Sequence, residues 1–594
     1  MQVNKIRAGN TLRVLSRGFF LMILLASCIT SDPGGEKIDG SIVPYTEGIR
    51  IGWDYRTLTR VVDRAVYYPR MIRLQSGELL SAFESERSIY ITRSSDEGES
   101  WSDAILAAPS DGVTASAVPE LIQLANGRIL LAYNTRPPAD NENPDKKFGI
   151  KLRISDDEGI SWSRQRNVFE GGFEWNRGVW EPAMIQLHTG EVQLFFANEF
   201  PYDQNKDQEI SMVRSYDNGE NWTEPVTISY REGYRDGMPV PLILQNNKGI
   251  VVAIEDNGMG PGEFKPAIIW SSTDANWNLD AAAGDSDRRW RALADNNQLA
   301  PSDYGGAPYI RQLPSGQTLL SFQSTEGRSR NWAKSTMAVA IGDGQAKNFS
   351  RKSEPFAVPE DRSALWNSLF IKNDTTITAL SSTTAYSSAG RSELYTIDGY
   401  VNKPLKALYG KIELDGKLNE PVWKQAVTNF IGARGDASAV IATAWDDEYF
   451  YIGSRIEDAT PGMEAGRAVE QLDNISVMLA PALLKYDSLV EGTYKICAAR
   501  SGQVKVYEGN AGEWHSSNIS AEIAVAAEDA NTFYQIEIAI PWHDMGGRPS
   551  TEEKWGINFE LSNYDSATTH FYHETLSGNT DDRPSTWSEI QLVR

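Results

Sequence analysis

Short apolar runs, each broken by a Gly or Asn/Asp turn, recur along the first two thirds of this chain. Ile72–Phe83 (IRLQSGELLSAF) is the pattern of a strand, a glycine turn and a second strand. It returns at Ile122–Tyr133, Ile185–Phe196, Leu242–Ile254 and Ile310–Phe322, and in degenerate form at Leu369–Leu380. Each copy carries the hairpin signal, while helical periodicity is nearly absent. A second repeat overlies the first. The octapeptide Ser-x-Asp-x-Gly-x-x-Trp occurs at Ser94–Trp101, Ser155–Trp162 and Ser215–Trp222, starting 61 and then 60 residues apart. Ser272–Trp277 reads as a decayed fourth copy. A period near 60 holds one four-stranded blade plus its loops, and six hairpins predict six blades. The expected fold is all-β, a six-bladed β-propeller over residues 50–403.

The octapeptide has a local logic. Asp side chains bond backbone amides in turns, Gly supplies φ > 0, and the Trp folds back on the hairpin. Asp96, Asp157 and Asp217 are therefore read as turn-formers and not as catalysts. These octapeptides resemble the Asp-box (BNR) repeats of sialidase-like propellers, where the boxes sit at the periphery, away from the central site.

The pattern changes around Asn402–Leu408. Gly410–Trp423, Ala444–Gly453, Asp473–Leu479 and Trp555–Leu561 predict a β-sandwich over residues 404–594. The phrases DGKLNEPVW, WDDEYFYIG and DNISVML resemble family 9 carbohydrate-binding modules. Such modules clamp a sugar between two Trp. Here Val469 precedes Glu470, and no Trp stands near Asp581–Arg583, while Trp445 and Trp587 read as core. Altered glycan binding and a packing spacer both remain open.

Lys5, Arg7, Arg13 and Arg17 precede the apolar run Gly18–Ala26. This is the charge pattern of a secretory signal, too short to span a membrane. Leu25–Cys28 resembles a bacterial lipobox, which implies lipidation of Cys28. Residues 1–28 are thus expected to be a signal peptide and lipobox, and 29–49 a tether. The expected product is an exported bacterial lipoprotein, periplasmic or at the cell surface, touching a membrane only through its lipid. Cys497 is the other cysteine, so no disulfide framework and no Cys metal cluster are expected. A net charge of −23 argues against a nucleic-acid partner. The 17 Trp and 24 Tyr suit a glycan partner and also suit strands.

The chemistry narrows by residue type. Only His188 lies in the propeller, within a hairpin turn, so Ser-His-Asp catalysis and His-based metal sites are disfavoured there. No cofactor and no metal are expected. Carboxylates remain, and paired carboxylates cleave glycosidic bonds. Inner-strand starts read Tyr68–Arg70, Val118–Glu120, Trp180–Pro182, Met238–Pro241, Ala307–Tyr309 and Leu365–Asn367. Glu181 falls in one of them, and Glu255 ends the apolar run Gly249–Ile254; each is either at a solvated rim or in a site.

Tyr68–Ile72, Arg177–Pro182 and Val251–Asp256 resemble glycoside hydrolase family 93, the exo-α-1,5-L-arabinanases. The resemblance implies a retaining hydrolase that releases arabinobiose from arabinan, with Glu181 as nucleophile and Glu255 as acid/base. Arg70, Asn176, Arg177 and Arg311 are candidate substrate contacts, and since the nucleophile must be ionised, Arg70 or Arg177 is the expected cation beside Glu181. Trp175, Trp180 and Tyr304 are either sugar-stacking walls or core. A sialidase is the main alternative, with Arg70, Arg311 and Arg391 as its arginines. It wants an Asp in the stretch Ser85–Ser94, which has none. A non-catalytic glycan-binding propeller is the third possibility.

Overall fold

The computed structural model describes residues 48–594 apart from 246–248, 261, 389, 461, 463–465, 481–487, 530–531, 566–569, 578–582 and 585–586. The expected signal peptide, Cys28 and almost all of the tether lie outside the described residues, as do Asp581 and Asp582.

Six four-stranded antiparallel sheets form the propeller. Blades one to five run in chain order, from Tyr67–Arg73 as the inner strand of the first to Ser350–Ser353 as the outer strand of the fifth. Blade six is closed by the beginning of the domain. Its inner three strands are Ala364–Ile371, Thr376–Thr383 and Glu393–Asn402, and its outer strand is Arg50–Val62. This pairing ties the two ends of the ring together without a covalent bond. Blades pack through apolar faces; Phe83, Tyr133, Phe195, Phe196 and Phe322 are fully buried between them.

Every inner strand breaks its ladder at the same place. Pairing slips between Tyr67 and Arg70, Ala117 and Glu120, Trp180 and Ala183, Gly237 and Val240, Gly306 and Tyr309, and Leu365 and Ser368. The residue at each slip has positive φ: Tyr68, Val118, Glu181, Met238, Ala307 and Trp366, between 45° and 54°. Five of the six precede proline. An inner strand is an edge strand facing the channel, so a proline without an N–H is tolerated there. A bulge re-aims the side chain it carries. These residues are turned toward the axis at a strain of roughly 1 kcal/mol or more each.

The three octapeptides close the turns between third and outer strands. Ser94 Oγ accepts from Gly98 N at 2.8 Å, Asp96 accepts from Ser100 N at 2.9 Å, and Trp101 Nε1 donates to Gly98 O at 3.1 Å. The second and third copies repeat the Ser and Asp bonds. Ser94 pairs with Leu79, at the far end of its blade from Glu84. The boxes therefore occupy the propeller face opposite the second-strand ends that carry Glu84 and Glu255.

The C-terminal domain is one thirteen-stranded sheet curled around its own core, including Trp445, Trp555 and Phe450. Trp445 and Trp587 are both fully buried. It meets the propeller along Asn429–Gly432. There Asn402 bonds both the N–H and the carbonyl of Phe430 at 2.7 Å. Gly52 and Gly432 are needed for this approach, because a Cβ on either would fall within 2.4 Å of the opposing backbone oxygen.

Candidate active site

The bulges build a ring around the axis at one mouth of the channel. Tyr68, Val118, Met238 and Ala307 pack into one apolar cluster with Trp366 against it. The sixth equivalent position is Glu181, so a single carboxylate interrupts an apolar ring. Its strand, Val179–Gln186, follows the turn Trp175–Arg177, and its neighbour Trp180 is buried against Phe148 at 4.8 Å between ring centres.

A second set of six positions lies on the second strands, opposite the residue before each bulge: Glu84, Asn134, Ala197, Glu255, Gln323 and Ser382. Three of them perform one task. The bulge leaves an N–H without a ladder partner, and the preceding blade supplies an acceptor. Val118 N donates to Glu84 at 3.3 Å, Ala307 N to Glu255 at 2.8 Å, and Trp366 N to Gln323. Tyr304 Oη also reaches Glu255, at 3.4 Å. Glu255 is thus fixed by backbone on one side and by a phenol on another.

Glu181 and Glu255 come from adjacent blades, and the Glu255 charge bears on the Glu181 carboxyl. Burial raises the Glu181 carboxyl from 4.5 to about 7, with the Glu255 charge adding to the rise and Arg136 opposing it. Burial also raises Glu255, against the Ala307 N–H. Arg136 Nη2 lies 3.5 Å from Glu181 Oε1. Its guanidinium stands over the Tyr68 ring at 5.6 Å and the Trp180 ring at 5.3 Å. Burial works against its charge, but Tyr68, Glu181 and Glu84 outweigh that and hold it above the usual arginine value.

The cation beside Glu181 is therefore Arg136, neither Arg70 nor Arg177. Arg177 instead packs over Phe200 at 4.6 Å and donates to its carbonyl. Asn176 is exposed on the same turn. Arg70 and Arg311 sit one step deeper along the inner strands. Arg70 Nε bonds Glu120 at 3.2 Å and lies 4.8 Å over the Tyr309 ring, while Arg311 donates to Tyr309 Oη. Side chains from blades one, two and five meet here, which requires the axis. Arg70 thus belongs to a paired cluster that Arg311 joins through Tyr309. Arg391 is elsewhere, half-exposed and ion-paired with Asp63 and Glu393, so the three arginines do not converge. The hairpin between second and third strands of blade one turns on two residues, Glu86 and Arg87, both with positive φ. It is a minimal loop.

Aromatic walls flank the carboxyls. On one side Trp175 is 48% exposed and edges Trp180 at 5.2 Å. On the other, Tyr68 stacks on Trp366 at 4.4 Å, Trp366 lies 6.1 Å from Trp332, and Trp332 lies 6.5 Å from Tyr304. Trp332 is 49% exposed. Tyr304 and Trp180 are buried. Among the described residues, no group of three or more His, Cys, Asp or Glu is arranged to hold a metal ion.

Sequence reasoning missed Glu84, Arg136, Trp332 and Trp366. Glu84 ends its hairpin's second strand as Glu255 does, so aligning the six hairpins by register finds it. Arg136 lies just past the repeat Ile122–Tyr133. Trp366 was visible at an inner-strand start, but its role follows only from the bulge. Trp332 lies in a turn with no repeat signal.

The BNR repeat-like domain family matches two overlapping stretches, residues 38–194 and 80–256. The carbohydrate family 9 binding domain-like family matches 414–593. No curated protein matches the chain. Among solved structures, the GH93 α-L-arabinofuranosidase of Fusarium graminearum with arabinobiose is 19% identical, covering 60% of this chain and 98% of that one at a TM-score of 0.44. The α-L-arabinanase of Penicillium chrysogenum complexed with arabinobiose is 17% identical over 60% and 98%, at 0.41. A family 9 carbohydrate-binding module from Caldicellulosiruptor kristjanssonii with cellotriose is 17% identical over 32% and 92%, at 0.27. The chain thus joins a BNR repeat-like propeller to a module similar to family 9 carbohydrate-binding domains.

Proposed function

We propose that this chain is a glycoside hydrolase that removes arabinobiose from the end of an arabinan-like glycan by a retaining mechanism. One observation carries the reading. Two largely buried carboxyls from adjacent blades stand at the mouth of a channel walled by aromatic rings, Glu181 beside Arg136 and Glu255 on the Ala307 N–H. Such a pair loses its protons in two steps, and between them one carboxyl is charged while the other keeps a proton. A retaining hydrolase starts from that state.

Arg136 favours charge on Glu181 against the burial that raises its carboxyl, and the resemblance at Arg177–Pro182 assigns Glu181 the part of nucleophile. Its oxygen attacks the anomeric carbon, and the glycosidic C–O bond breaks with its electron pair leaving on oxygen. Glu255 supplies the proton to that oxygen. Water, deprotonated by Glu255, then displaces Glu181 as a carboxylate. Trp175 and Trp332 offer faces on which sugar rings stack. The choice of arabinan rests on the sequence resemblance at Tyr68–Ile72, Arg177–Pro182 and Val251–Asp256. The two-residue hairpin at Glu86–Arg87 and the distant Arg391 weigh against the sialidase alternative.

The test is product analysis on linear arabinan beside a sialoside. Arabinobiose release that is lost in Glu181→Gln and in Glu255→Gln supports the proposal. Sialic acid release, or binding with no turnover of either glycan, refutes it. Anchoring through Cys28 is part of the same proposal; Cys28→Ser should move the protein from the membrane fraction to the soluble fraction.

A further inference from the structure

A cluster of fully buried charges lies next to Glu255. Asp256, the following residue on the second strand of blade four, pairs in register with Asp236, as Glu255 pairs with Gly237. Arg289, from the outer strand Arg289–Arg291 of the same blade, forks onto both. Its Nη1 lies 2.8 Å from Asp236 Oδ1 and 2.6 Å from Asp256 Oδ2, and its Nη2 lies 2.5 Å from Asp236 Oδ2. The three side chains have essentially no exposure. The cluster also reaches blade three. Ser229, which ends that blade's outer strand, donates to Asp236 and accepts from Arg289 Nη2 at 3.0 Å. Arg231, two residues on, lies 3.3 Å from Asp256. From Ser229 one ladder row crosses blade three through Ile210 and Ala197 to Trp180, the residue before Glu181.

Buried charges give up their water, and apolar packing in their place is often as stable or more so. The other five blades close this row with uncharged residues: Ser85, Thr135, Asn198, Ser324 and Thr383 stand where Asp256 does. The propeller itself therefore does not demand charge here. Blade four differs in carrying Glu255, and the blade it is bonded to carries Glu181. Bidentate, charge-assisted bonds fix direction as well as distance. We propose that Arg289 is a positioning residue: with Asp236 and Asp256 it clamps the strand end that bears Glu255 and ties it to the row that ends beside Glu181. The two carboxyls are thereby held at a set separation, on which a retaining reaction depends. Arg289 touches neither sugar nor reacting atom. The inference rests on the glycosidase reading for its catalytic consequence, but the fixing of Glu255 stands without it.

Arg289→Met alone leaves two buried carboxylates unpaired and is expected to unfold the blade. The test therefore uses Asp236→Ser/Asp256→Thr/Arg289→Met in the full chain, Ser and Thr being the pair at this row in blade two. The readout is amide exchange at Ala307, whose N–H bonds Glu255 from blade five. The control is Val118, the equivalent amide on Glu84. Ala307 should exchange roughly tenfold faster and approach its rate in Glu255→Ala, while Val118 and the melting midpoint hold. With arabinan, kcat should fall roughly tenfold or more, with KM changed by no more than about twofold. Unchanged exchange at Ala307, or unchanged kcat in a protein that cleaves arabinan, overturns the proposal. So does loosening of Ala307 and Val118 together, which would make the cluster a support of the fold at large. If the triple variant does not fold, Asp256→Asn, which keeps the shape and removes one charge from Arg289, is read by the same two amides with the same outcomes. If wild type cleaves no glycan, the functional reading fails, while exchange at Ala307 still decides whether the clamp holds Glu255.

Discussion

Replacing Glu181 by Gln should make the protein more stable at alkaline pH and leave it unchanged in acid. Burial raises this carboxyl from 4.5 to about 7 in the folded chain. A raised carboxyl pKa means that the folded state holds the proton more tightly than the unfolded state does. Stability therefore falls as pH rises from the unfolded value toward the folded one, and the whole penalty is present above about 7. A rise of that size corresponds to about 3 kcal/mol. Gln keeps the shape and carries no charge, so it escapes the penalty. For a propeller of roughly 350 residues, about 3 kcal/mol amounts to a rise of about 4 °C in midpoint. The assay compares thermal or urea midpoints of wild type and Glu181→Gln at pH 4.5 and pH 8. The gap should be near zero at the lower pH and several degrees at the higher, with activity lost throughout. A gap that ignores pH, or a variant less stable at pH 8, would refute the argument that Glu181 is held in a poorly solvated ring.

Asp96 should behave in the opposite sense. Bonds from Ser100 and Ser94 lower its carboxyl to about 2, so it stabilises the fold above the ordinary Asp range and loses that contribution as pH falls toward 2. Asp96→Asn should accordingly lower the melting midpoint at pH 7 while leaving kcat intact, since the box lies on the face away from Glu84; lost turnover at unchanged stability would contradict this. Trp332→Ala and Trp175→Ala remove half-exposed rings, so each should raise KM up to roughly tenfold with little change in melting, measured by steady-state kinetics and calorimetry. A fluorinated arabinosyl donor that traps the ester should add its mass to the peptide containing Glu181, and labelling of the Glu255 peptide would reverse the assigned roles.

How much of this was legible in the sequence depends on what kind of signal each feature leaves. The six hairpins and three octapeptides repeat because every blade solves the same packing and turn problem, so period and register expose them. The bulges were half-visible as five X-Pro pairs at inner-strand starts. What the chain alone does not say is that the residue before each Pro turns to the axis. Glu181 and Glu255 stood out because a carboxylate next to an apolar run needs a reason. Arg70 and Arg311 stood out for the same cause, but their partners across the channel, Glu120 and Tyr309, appear only in the fold. Such pairing joins blades one, two and five, far apart in the chain, and leaves no local trace.

The ring also explains why the two candidate carboxyls sit where they do. A propeller brings six equivalent side chains to one axis, and apolar residues at five of them exclude water there. The sixth, Glu181, then titrates near neutrality because its five neighbours cannot solvate a charge. The second ring supplies what the first lacks. Three of its polar members accept bulge N–H groups, so Glu255 is held by a backbone donor. Fold and candidate site are thus one construction: the strain of six bulges places Glu181, and the bonds that relieve the bulges place Glu255. Moving Glu255 should therefore disturb blade five as well as catalysis. Glu255→Ala leaves Ala307 N without its acceptor at 2.8 Å, a loss of about 1–3 kcal/mol, whereas Glu255→Gln keeps an oxygen there. Melting midpoints that fall in Glu255→Ala but not in Glu255→Gln, with both inactive, separate the two roles; equal midpoints would remove the structural one.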